Sequence, residues 1–287
     1  MYLFILPGFL YFVVFQYLPL LGNVIAFQNY SPFLGFQGSP FVGLQNFSDL
    51  ANDPDVASAL INTLEISVLQ LVFFFPAPIA LALLLNSMAS ERLKRLMQSI
   101  VYLPHFIGWV IVIALWQQIL GGDGVVNQLL RDHGDPTVNI MASPGFFKPL
   151  VTLQVIWKDT GWGTIIFLAA LTKVDTALYE AAVVDGAGPW RRLWHITLPG
   201  IRSILILLLI LRLGDILNTG FEQILLQQNA VGAPAAQVLD TFVYFRGILG
   251  GDWGLSAAVG LLKGVVATAL VVAANKVAHM CGEEGVF

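Results

Sequence analysis

The sequence has little charge and no long basic run. Of its 287 residues only 11% are charged, whereas 57% are hydrophobic. The mean hydropathy is +0.77. A soluble domain of this length needs more charge to cover its surface, so the composition predicts that a lipid bilayer is the solvent of this chain. The net charge of −4 and the lack of basic runs do not indicate binding to nucleic acid, and we expect no such partner.

Further absences exclude kinds of chemistry. The single cysteine, Cys281, excludes an internal disulfide framework and a cysteine-based metal cluster, and we interpret it as an idle thiol. The four histidines lie in separate regions without metal-ligand spacing, so no metal site is predicted. The chain contains no G-x-x-x-x-G-K-[ST] pattern, the P-loop that holds nucleotide phosphates. No grouping of Ser, His and Asp indicates hydrolysis, and we expect no catalytic residue.

Long apolar stretches take up most of the chain. Six of them have the length of about 20 residues that a membrane-spanning helix needs. They lie at residues 3–26, 60–85, 99–120, 150–171, 203–226 and 255–274. The first lacks the basic leader and cleavage site of a signal peptide, so we interpret it as a retained span, before which a charged leader is expected. The predicted fold is an all-α membrane protein with six transmembrane helices, in which residues 1–287 form one transmembrane domain.

Lysine and arginine in short loops predict the orientation of the spans. The basic residues concentrate in the loops after the second and fourth spans, at Arg92, Lys94, Arg95, Lys173, Arg191, Arg192 and Arg202. Residues 27–59, in contrast, hold neither Lys nor Arg. We therefore predict that these two basic loops and both termini face the cytoplasm, while residues 27–59, 121–149 and 227–254 face outward.

The charged loop between the fourth and fifth spans, residues 172–202, is predicted to form two short helices. Asp175 is placed to cap the first helix, and Gly186 suits the left-handed position that closes it. Pro189 then opens the second helix, and Pro199 stops it before the fifth span. Periodicity alone leaves two interpretations open. The loop is either an amphipathic helix pair in the headgroup layer or a helical plug for a groove in a partner protein.

The spacing within this loop resembles that of a known family. The pattern E-A-A, three residues, Gly, nine residues and I-x-L-P falls on Glu180, Ala181, Ala182, Gly186, Ile196, Leu198 and Pro199. It resembles the hallmark loop of the membrane subunits of binding-protein-dependent ABC importers, and every position matches. GSPFVGLQNF, PAPIALALLLN, YLPHF, GWGTIIFLAAL, LPGIRSILILLLILRLGDILNTGFEQILL and ANK are similar to the carbohydrate-uptake branch, in its oligosaccharide-importing subgroup. The resemblance covers essentially the whole chain.

The resemblance implies a multi-pass permease subunit of the bacterial cytoplasmic (inner) membrane, whose loop 172–202 is a coupling helix that docks on an ATPase. The implied docking residues are Glu180, Ala181, Ala182, Asp185, Gly186 and Trp190. Ile196, Leu198 and Pro199 are implied to set the loop geometry where the fifth span begins. For Glu180, two interpretations stay open, namely an ion pair with the partner and a local cap on the second helix.

The resemblance also implies the other subunits of the importer. A second homologous permease, forming a heterodimer, supplies the other half of the pathway. Two cytoplasmic ATPase subunits hold ATP and Mg²⁺, so no cofactor is expected in this chain, and the chain itself is not an enzyme. An extracytoplasmic sugar-binding protein delivers the cargo. Resemblance to this subgroup points to long glycans, with uronic-acid-containing ones among them.

Polar residues inside the spans are candidates for the substrate path, because charge at membrane depth is costly. In the fifth span, steps of three and four residues put Arg212, Asp215, Thr219 and Glu222 on one helix face, with Asn218 nearby. This stripe is either a wall of the path or, for Arg212 and Asp215, a structural ion pair. In the fourth span, Trp157 and Trp162 have three interpretations: interface anchors, sugar contacts or core packing. The path candidates are thus Trp157, Trp162, Asp215, Asn218 and Glu222.

Three further charges have open roles. Lys158 is placed to attract a carboxylated sugar, unless Asp159 neutralises it. Glu65 and Lys263 are expected to pair with other helices, and the sequence does not identify their partners.

An ion-coupled secondary transporter of a small polar solute is the alternative function. Such proteins often contain inverted repeats and paired broken helices, and this sequence has no visible repeat, although Lys158, Asp159 and Asp215 could serve ions. A third class, an intramembrane enzyme, lacks a recognisable catalytic grouping. We therefore expect the chain to form half of the pathway of an ATP-driven oligosaccharide importer.

Overall fold

The computed structural model describes residues 2–283 and 285–286. This part of the chain is helical, and its one β-bridge, between Gln28 and Phe41, extends into no strand. The predicted all-α fold is confirmed. The principal helices, in chain order, are α1 (Tyr2–Phe12, continued by a π turn and a 3-10 helix to Phe27), α2 (Gln45–Asn52), α3 (Pro54–Leu69), α4 (Pro76–Asn86), α5 (Glu91–Tyr102), α6 (Trp109–Leu120), α7 (Val125–His133), α8 (Pro144–Leu171), α9 (Thr176–Val184), α10 (Pro189–Gly200), α11 (Arg202–Gly214), α12 (Phe221–Val231), α13 (Leu239–Val243) and α14 (Trp253–Met280).

The described chain divides into two compact units. The first unit comprises residues 2–61 and Gln237–Val266, and the second comprises Asn62–Ala236 and residues 267–286. Each has a buried apolar cluster, whose close packing stabilises the unit through many van der Waals contacts. The cluster of the first unit is Val56, Ala59, Leu239, Phe242, Leu255 and Val259. The cluster of the second unit is Ala82, Phe167, Ala170, Leu171 and Ile201.

Several helices have the length and apolarity of membrane spans. In the described part of the chain, four qualify on their own: Phe4–Phe27, Pro54–Asn86, Trp109–His133 and Trp253–Met280. A fifth is reached if Pro189–Gly200 and Arg202–Gly214, which are bent by 63°, count as one span. Helix α8 covers the predicted fourth span and has 28 residues, yet it is not in this set. Its polar residues, among them Gln154, Lys158 and Asp159, lower its apolarity.

The prediction of the third span is wrong over its first residues. A 3-10 turn over Leu103–Phe106 follows α5, and α6 begins only at Trp109. Pro104 has no amide hydrogen to donate to a helix. Ile107 and Gly108 are extended, with ψ of 129° and 151°. The helix that was predicted to run continuously from residue 99 is therefore interrupted before Trp109.

The prediction of a continuous fifth span is also wrong. Helix α11 ends at Gly214 and α12 begins at Phe221, with residues 215–220 outside any helix. Gly220 has φ of +98°, a conformation that L side chains rarely adopt and that glycine tolerates. The predicted polar stripe therefore does not lie on one helix face, because Arg212 and Glu222 belong to different helices.

Candidate functional site

The loop between α8 and α11 contains α9, which local sequence caps at both ends. The Oδ1 atom of Asp175 accepts a hydrogen bond of 2.9 Å from the amide of Ala177. At the other end Gly186 has φ of +73°, and the amide of Ala187 donates to the carbonyl of Ala182 over 2.8 Å. This arrangement is a Schellman closure, in which glycine avoids the strain of a side chain at positive φ. Both cap predictions are confirmed.

The second helix of the loop, α10, begins as predicted and ends within one residue of its predicted stop. Pro189 occupies its first turn, where no intrahelical amide donor is needed. Pro199 lies one residue before the end of the helix, and a π turn over Leu193–Thr197 precedes it. The wider turn relieves the contact between a proline ring and the carbonyl one turn earlier. The helix ends at Gly200, and the 63° bend into α11 falls at Ile201.

The base of this loop is anchored to the second unit. The hydroxyls of Tyr179 and Thr197 lie 2.9 Å apart and join α9 to α10. Leu198 packs against the apolar cluster of the unit. A Cβ atom at Gly200 would lie 2.9 Å from the Cγ2 atom of Val174, so glycine permits a close approach there. Movement of the loop base is therefore linked to the packed helices.

The residues implied in docking lie on the exposed part of the loop. Glu180, Ala181, Asp185 and Gly186 are exposed, Ala182 is half-buried, and Trp190 is 73% exposed. No side chain caps the start of α10, where Gly188 is the capping residue. Within the described residues Glu180 makes no side-chain hydrogen bond or ion pair, so its interpretation as a local cap is wrong.

Basic residues border the alanine surface of the loop. A cavity of about 330 Å³ is lined by Ala182, Ala187, Arg191, Arg192, His195 and Ile196. A larger one, of about 720 Å³, lies between the end of α4 and the loop, and Arg192 borders it as well. The Nε atom of Arg192 is buried and has no hydrogen-bond acceptor in the described part of the chain. The loop thus combines small side chains, concave surface and positive charge.

The two path candidates of α8, Trp157 and Trp162, contact other rings. Trp162 stacks on His105 with 4.5 Å between ring centroids and 5° between planes. Trp157 meets Trp116 edge to face, with centroids 6.3 Å apart. Trp157 is nonetheless 42% exposed, and Trp162 is 48% exposed. Both side chains therefore pack within the protein and keep accessible surface.

Lys158 and Asp159 form hydrogen bonds with the segment around Pro104 rather than an ion pair with each other. The Nζ atom of Lys158 donates to the carbonyl of His105 over 2.6 Å and lies 3.4 Å from the carbonyl of Pro104. An oxygen of Asp159 lies 2.8 Å from the Nδ1 atom of His105. Lys158 is buried with its charge engaged by these carbonyls, so the structure does not favour its role in attracting a carboxylated sugar.

The other path candidates lie at the break between α11 and α12. Asp215, Asn218 and Glu222 are all exposed. The side-chain amide of Asn218 lies 3.2 Å from an oxygen of Asp215. The structure thus brings Asp215 and Asn218 together, although not on a shared helix face.

Arg212 does not form the ion pair with Asp215 that was one interpretation of the stripe. It donates to the Oε1 atom of Gln70 over 2.5 Å. The hydroxyl of Ser67 donates to the carbonyl of Ile216, within the non-helical segment. Side chains of α3 and of the π segment that follows it therefore satisfy groups at the break. Backbone outside a helix requires such partners at membrane depth.

A buried glutamine cluster joins α8 to α12, and sequence reasoning does not find it. The Oε1 atom of Gln154 accepts hydrogen bonds from Gln223 over 2.7 Å and from Gln227 over 3.0 Å. Gln223 also donates to the carbonyl of Val151 over 2.9 Å. All three glutamines are buried. The four-residue spacing of Gln223 and Gln227 is the signal that points to a polar face on α12.

The structure also supplies partners that the sequence leaves open. Glu65 pairs with Lys148, and Lys263 pairs with Asp240. In the described residues, no group of three or more His, Cys, Asp or Glu side chains is placed to hold a metal ion.

Comparison with known proteins identifies the family. A profile of the family described as binding-protein-dependent transport system inner membrane component matches residues 74–278. Protein LplB of Bacillus subtilis (strain 168) is 47% identical over 100% of this chain and 91% of LplB. The polygalacturonan/rhamnogalacturonan transport system permease protein YteP of the same organism is 48% identical over 100% of this chain and 90% of YteP.

A solved structure has the same fold. One chain of the crystal structure of a bacterial alginate ABC transporter, in complex with an alginate pentasaccharide-bound periplasmic protein, superposes with a TM-score of 0.90. The two chains are 37% identical, and the match covers 99% of this chain and 96% of the other. The protein described here therefore belongs to the family of binding-protein-dependent transport system inner membrane components and is a membrane permease of that class.

Proposed function

We propose that this permease forms half of the translocation pathway of an ATP-driven importer for an oligosaccharide, which an extracytoplasmic binding protein delivers. The names of YteP and of the alginate transporter concern polymeric sugars, which supports a saccharide cargo here. One observation carries the proposal. An E-A-A loop, closed at Gly186, presents small side chains to the surroundings, together with Glu180, which has no side-chain partner among the described residues. The base of the loop is anchored to the packed helices.

The proposed membrane topology has six spans. Helix α8 serves as the fourth span although it is less apolar than the others. The fifth span is broken, with α11 and α12 as its two parts. Both termini and the loop 172–202 face the cytoplasm, in agreement with the distribution of Lys and Arg. Residues 1–287 act as one permease domain in the bacterial inner membrane.

The proposed assembly contains a second, homologous permease, two cytoplasmic ATPases that hold ATP and Mg²⁺, and the binding protein. ATP binding closes the ATPases, and the loop moves with them as a coupling helix. Small residues suit this contact, because they let another backbone approach closely. In this role Glu180, Ala181, Ala182, Asp185, Gly186 and Trp190 contact the ATPase, and Ile196, Leu198 and Pro199 set the loop geometry.

The proposed cargo path uses accessible aromatic and polar groups of the second unit. Aromatic rings and a few placed polar groups are the usual lining of small-molecule sites. Trp157 and Trp162 keep accessible ring surface, and the break between α11 and α12 presents Asp215, Asn218 and Glu222. We propose that these five residues contact the oligosaccharide during transport.

The docking role is tested by crosslinking. Ala182→Cys, in a Cys281→Ser background, is expected to crosslink to an ATPase subunit in native membranes, and the crosslink should change on addition of ATP. Ala89→Cys is the matched control, because Ala89 is exposed in the other loop predicted to be cytoplasmic. If a well-expressed Ala182→Cys permease captures no ATPase, the docking role is wrong.

A gradient-driven transporter is the second candidate, and the break between α11 and α12 favours it. Ion-coupled transporters bind their ions at interrupted helices, where backbone carbonyls and carboxylates are available. Asp215 is exposed at this break. ATP-independent uptake by the purified chain alone would support this candidate.

A further inference from the structure

The first unit contains a small polar cavity that is separate from the loop 172–202 and from the path candidates. The amide cavity, as we call it, has a volume of about 300 Å³ and is lined by Gln28, Asn29, Tyr30, Asn46, Asp252 and Trp253 together with nearby glycines. Its segments belong to the loops 27–59 and 227–254, which the basic residues predict to face outward. Its volume is at the lower limit of small-molecule sites and suits one sugar ring rather than a chain.

Hydrogen bonds and close packing fix the walls of the amide cavity. The side-chain amide of Asn46 donates to the carbonyls of Ala26 over 2.8 Å and Gln28 over 3.0 Å. The backbone amide of Asn29 donates to the backbone carbonyl of Pro40 over 3.0 Å. A Cβ atom at Gly254 would lie 2.5 Å from the carbonyl oxygen of Gln28. The cavity therefore exists before any ligand binds, which lowers the cost of ordering it.

One lining residue of the amide cavity, Gln28, contains a buried acceptor without a donor among the described residues. Gln28 is 8% exposed, and its Nε2 atom donates to the carbonyl of Phe36 over 2.9 Å. Its Oε1 atom is buried and accepts no hydrogen bond from the described residues. Buried polar atoms are nearly always paired, so a bound water or a ligand hydroxyl is expected to donate to this oxygen.

The remaining lining groups have the chemistry that recognises sugars. Sugar hydroxyls donate and accept hydrogen bonds, and the side chains of Asn29 and Asp252 can accept, while Asn29 and Tyr30 can donate. Trp253 adds an aromatic ring of the kind that packs on the apolar face of a sugar. We propose that the amide cavity binds one sugar residue of the incoming oligosaccharide, a step that rests on the proposed import function.

The charges around the amide cavity favour an uncharged sugar over a uronate. Its lining includes the carboxylate of Asp252 and no Lys or Arg. Arg246 lies 3.7 Å from Asp252 and 3.7 Å from Asp53, so two carboxylates share one guanidinium. A carboxylated sugar would add a third negative charge at this place, and like charges brought close together repel.

A cysteine-protection experiment tests the proposal. In a Cys281→Ser background, Asn29→Cys is labelled with a maleimide in vesicles that hold the complete importer without binding protein. Arabinotriose and galactotriose are the neutral probes, and tri-galacturonate is the charged one. We expect a neutral probe at about four times its dissociation constant to slow labelling about fivefold, as mass action gives for a blocked site. Tri-galacturonate at the same concentration should slow labelling less.

Two further variants make the result specific. Gln37→Cys is the matched control, because Gln37 is exposed in the same loop but does not line the amide cavity, and its labelling rate should not change with sugar. Asp252→Asn should reduce the discrimination against tri-galacturonate, because it removes the lining carboxylate. An asparagine oxygen can still accept the hydrogen bond that Asp252 accepts from the amide of Leu255.

The outcomes separate this inference from the proposed function. Unchanged labelling of Asn29→Cys with every sugar would overturn the inference, and so would slowing by the sugar-free binding protein alone, which would identify a protein contact. ATP-driven uptake with binding protein is measured in the same vesicles. If the unsubstituted complex shows no ATP-driven uptake, the proposed function is wrong, whatever the labelling shows.

Discussion

At the residue scale, Gly186 determines how the proposed docking surface is formed. Its φ of +73° lets the amides of Gly186 and Ala187 reach the carbonyls of Val183 and Ala182 and so close α9. A residue with a side chain pays about 1–2 kcal/mol for this left-handed conformation. The space around a Cβ atom at Gly186 is open. The requirement for glycine is therefore a requirement of the backbone and not of packing within this chain.

The first prediction compares two glycines of the same loop. Gly186→Ala is expected to raise the amount of ATP hydrolysed per sugar imported several-fold, because strain of about 1–2 kcal/mol shifts the end of α9 and with it the docking surface. Gly188→Ala is the matched control, since Gly188 has φ of −67° and open space around a Cβ atom. ATP hydrolysis and uptake are measured together in vesicles with equal permease content. Equal ratios for the two variants would remove Gly186 from the coupling step.

The residues of the loop also mark what can be predicted from sequence. Asp175, Gly186 and Pro189 occupy the positions expected of them, because a cap depends on neighbours within four or five residues. The partners of Glu65 and Lys263 are not predictable in this way. Lys148 lies 83 residues from Glu65 in the chain, and only the packing of distant helices brings the two together.

At the element scale, the broken fifth span escaped prediction because steps of three and four residues across the break imitate one helix face. The steps from Arg212 to Glu222 fit a continuous helix as well as they fit two helices. The local signal of a break is the run Asn218, Thr219 and Gly220, since such residues favour a loop between apolar segments. What holds the non-helical segment is tertiary: the hydroxyl of Ser67 satisfies the carbonyl of Ile216. Pro199, in contrast, lies one residue before the end of α10 and the 63° bend into α11, as the sequence predicts.

The chain end holds the beginning of α11, next to the bend at Ile201. The guanidinium of Arg202 lies 3.0 Å from the carboxylate of Glu283, and it also donates to the carbonyl of Cys281 over 3.3 Å. The hydroxyl of Ser203 donates to the same carboxylate over 3.1 Å. The side chain of Glu283 is only 16% exposed, so this contact is less screened than a surface ion pair.

Removal of this charge is expected to release the chain end. With a nitroxide attached to Cys281, which is exposed, Glu283→Gln should increase the mobility of the label, because the neutral amide holds Arg202 less strongly. Glu91→Gln is the control, since the pair of Glu91 with Lys94 is 3.8 Å long and Glu91 is 70% exposed. Unchanged spectra after Glu283→Gln would mean that other contacts hold this end in place.

At the scale of the whole molecule, the chain has features expected of one subunit of a larger transporter complex. It contains no P-loop pattern, and in the proposed importer separate ATPases supply the energy. Its first candidate span, Phe4–Phe27, is apolar, and no part of its most apolar window is buried within the chain. Such a surface is stable only against lipid or another membrane subunit. The exposed loop around Glu180 adds a second incomplete surface, on the side predicted to be cytoplasmic.

Reconstitution distinguishes the two energy sources. Vesicles with this chain, its partner permease, both ATPases and the binding protein should take up oligosaccharide with ATP and Mg²⁺ inside, and should lose uptake when ADP replaces ATP. Vesicles with this chain alone should show no uptake under a proton or sodium gradient, because they lack the second permease and the ATPases of the proposed importer. Gradient-driven uptake by the chain alone, abolished by Asp215→Asn, would instead establish an ion-coupled transporter, since the carboxylate at the helix break would then carry the coupling ion.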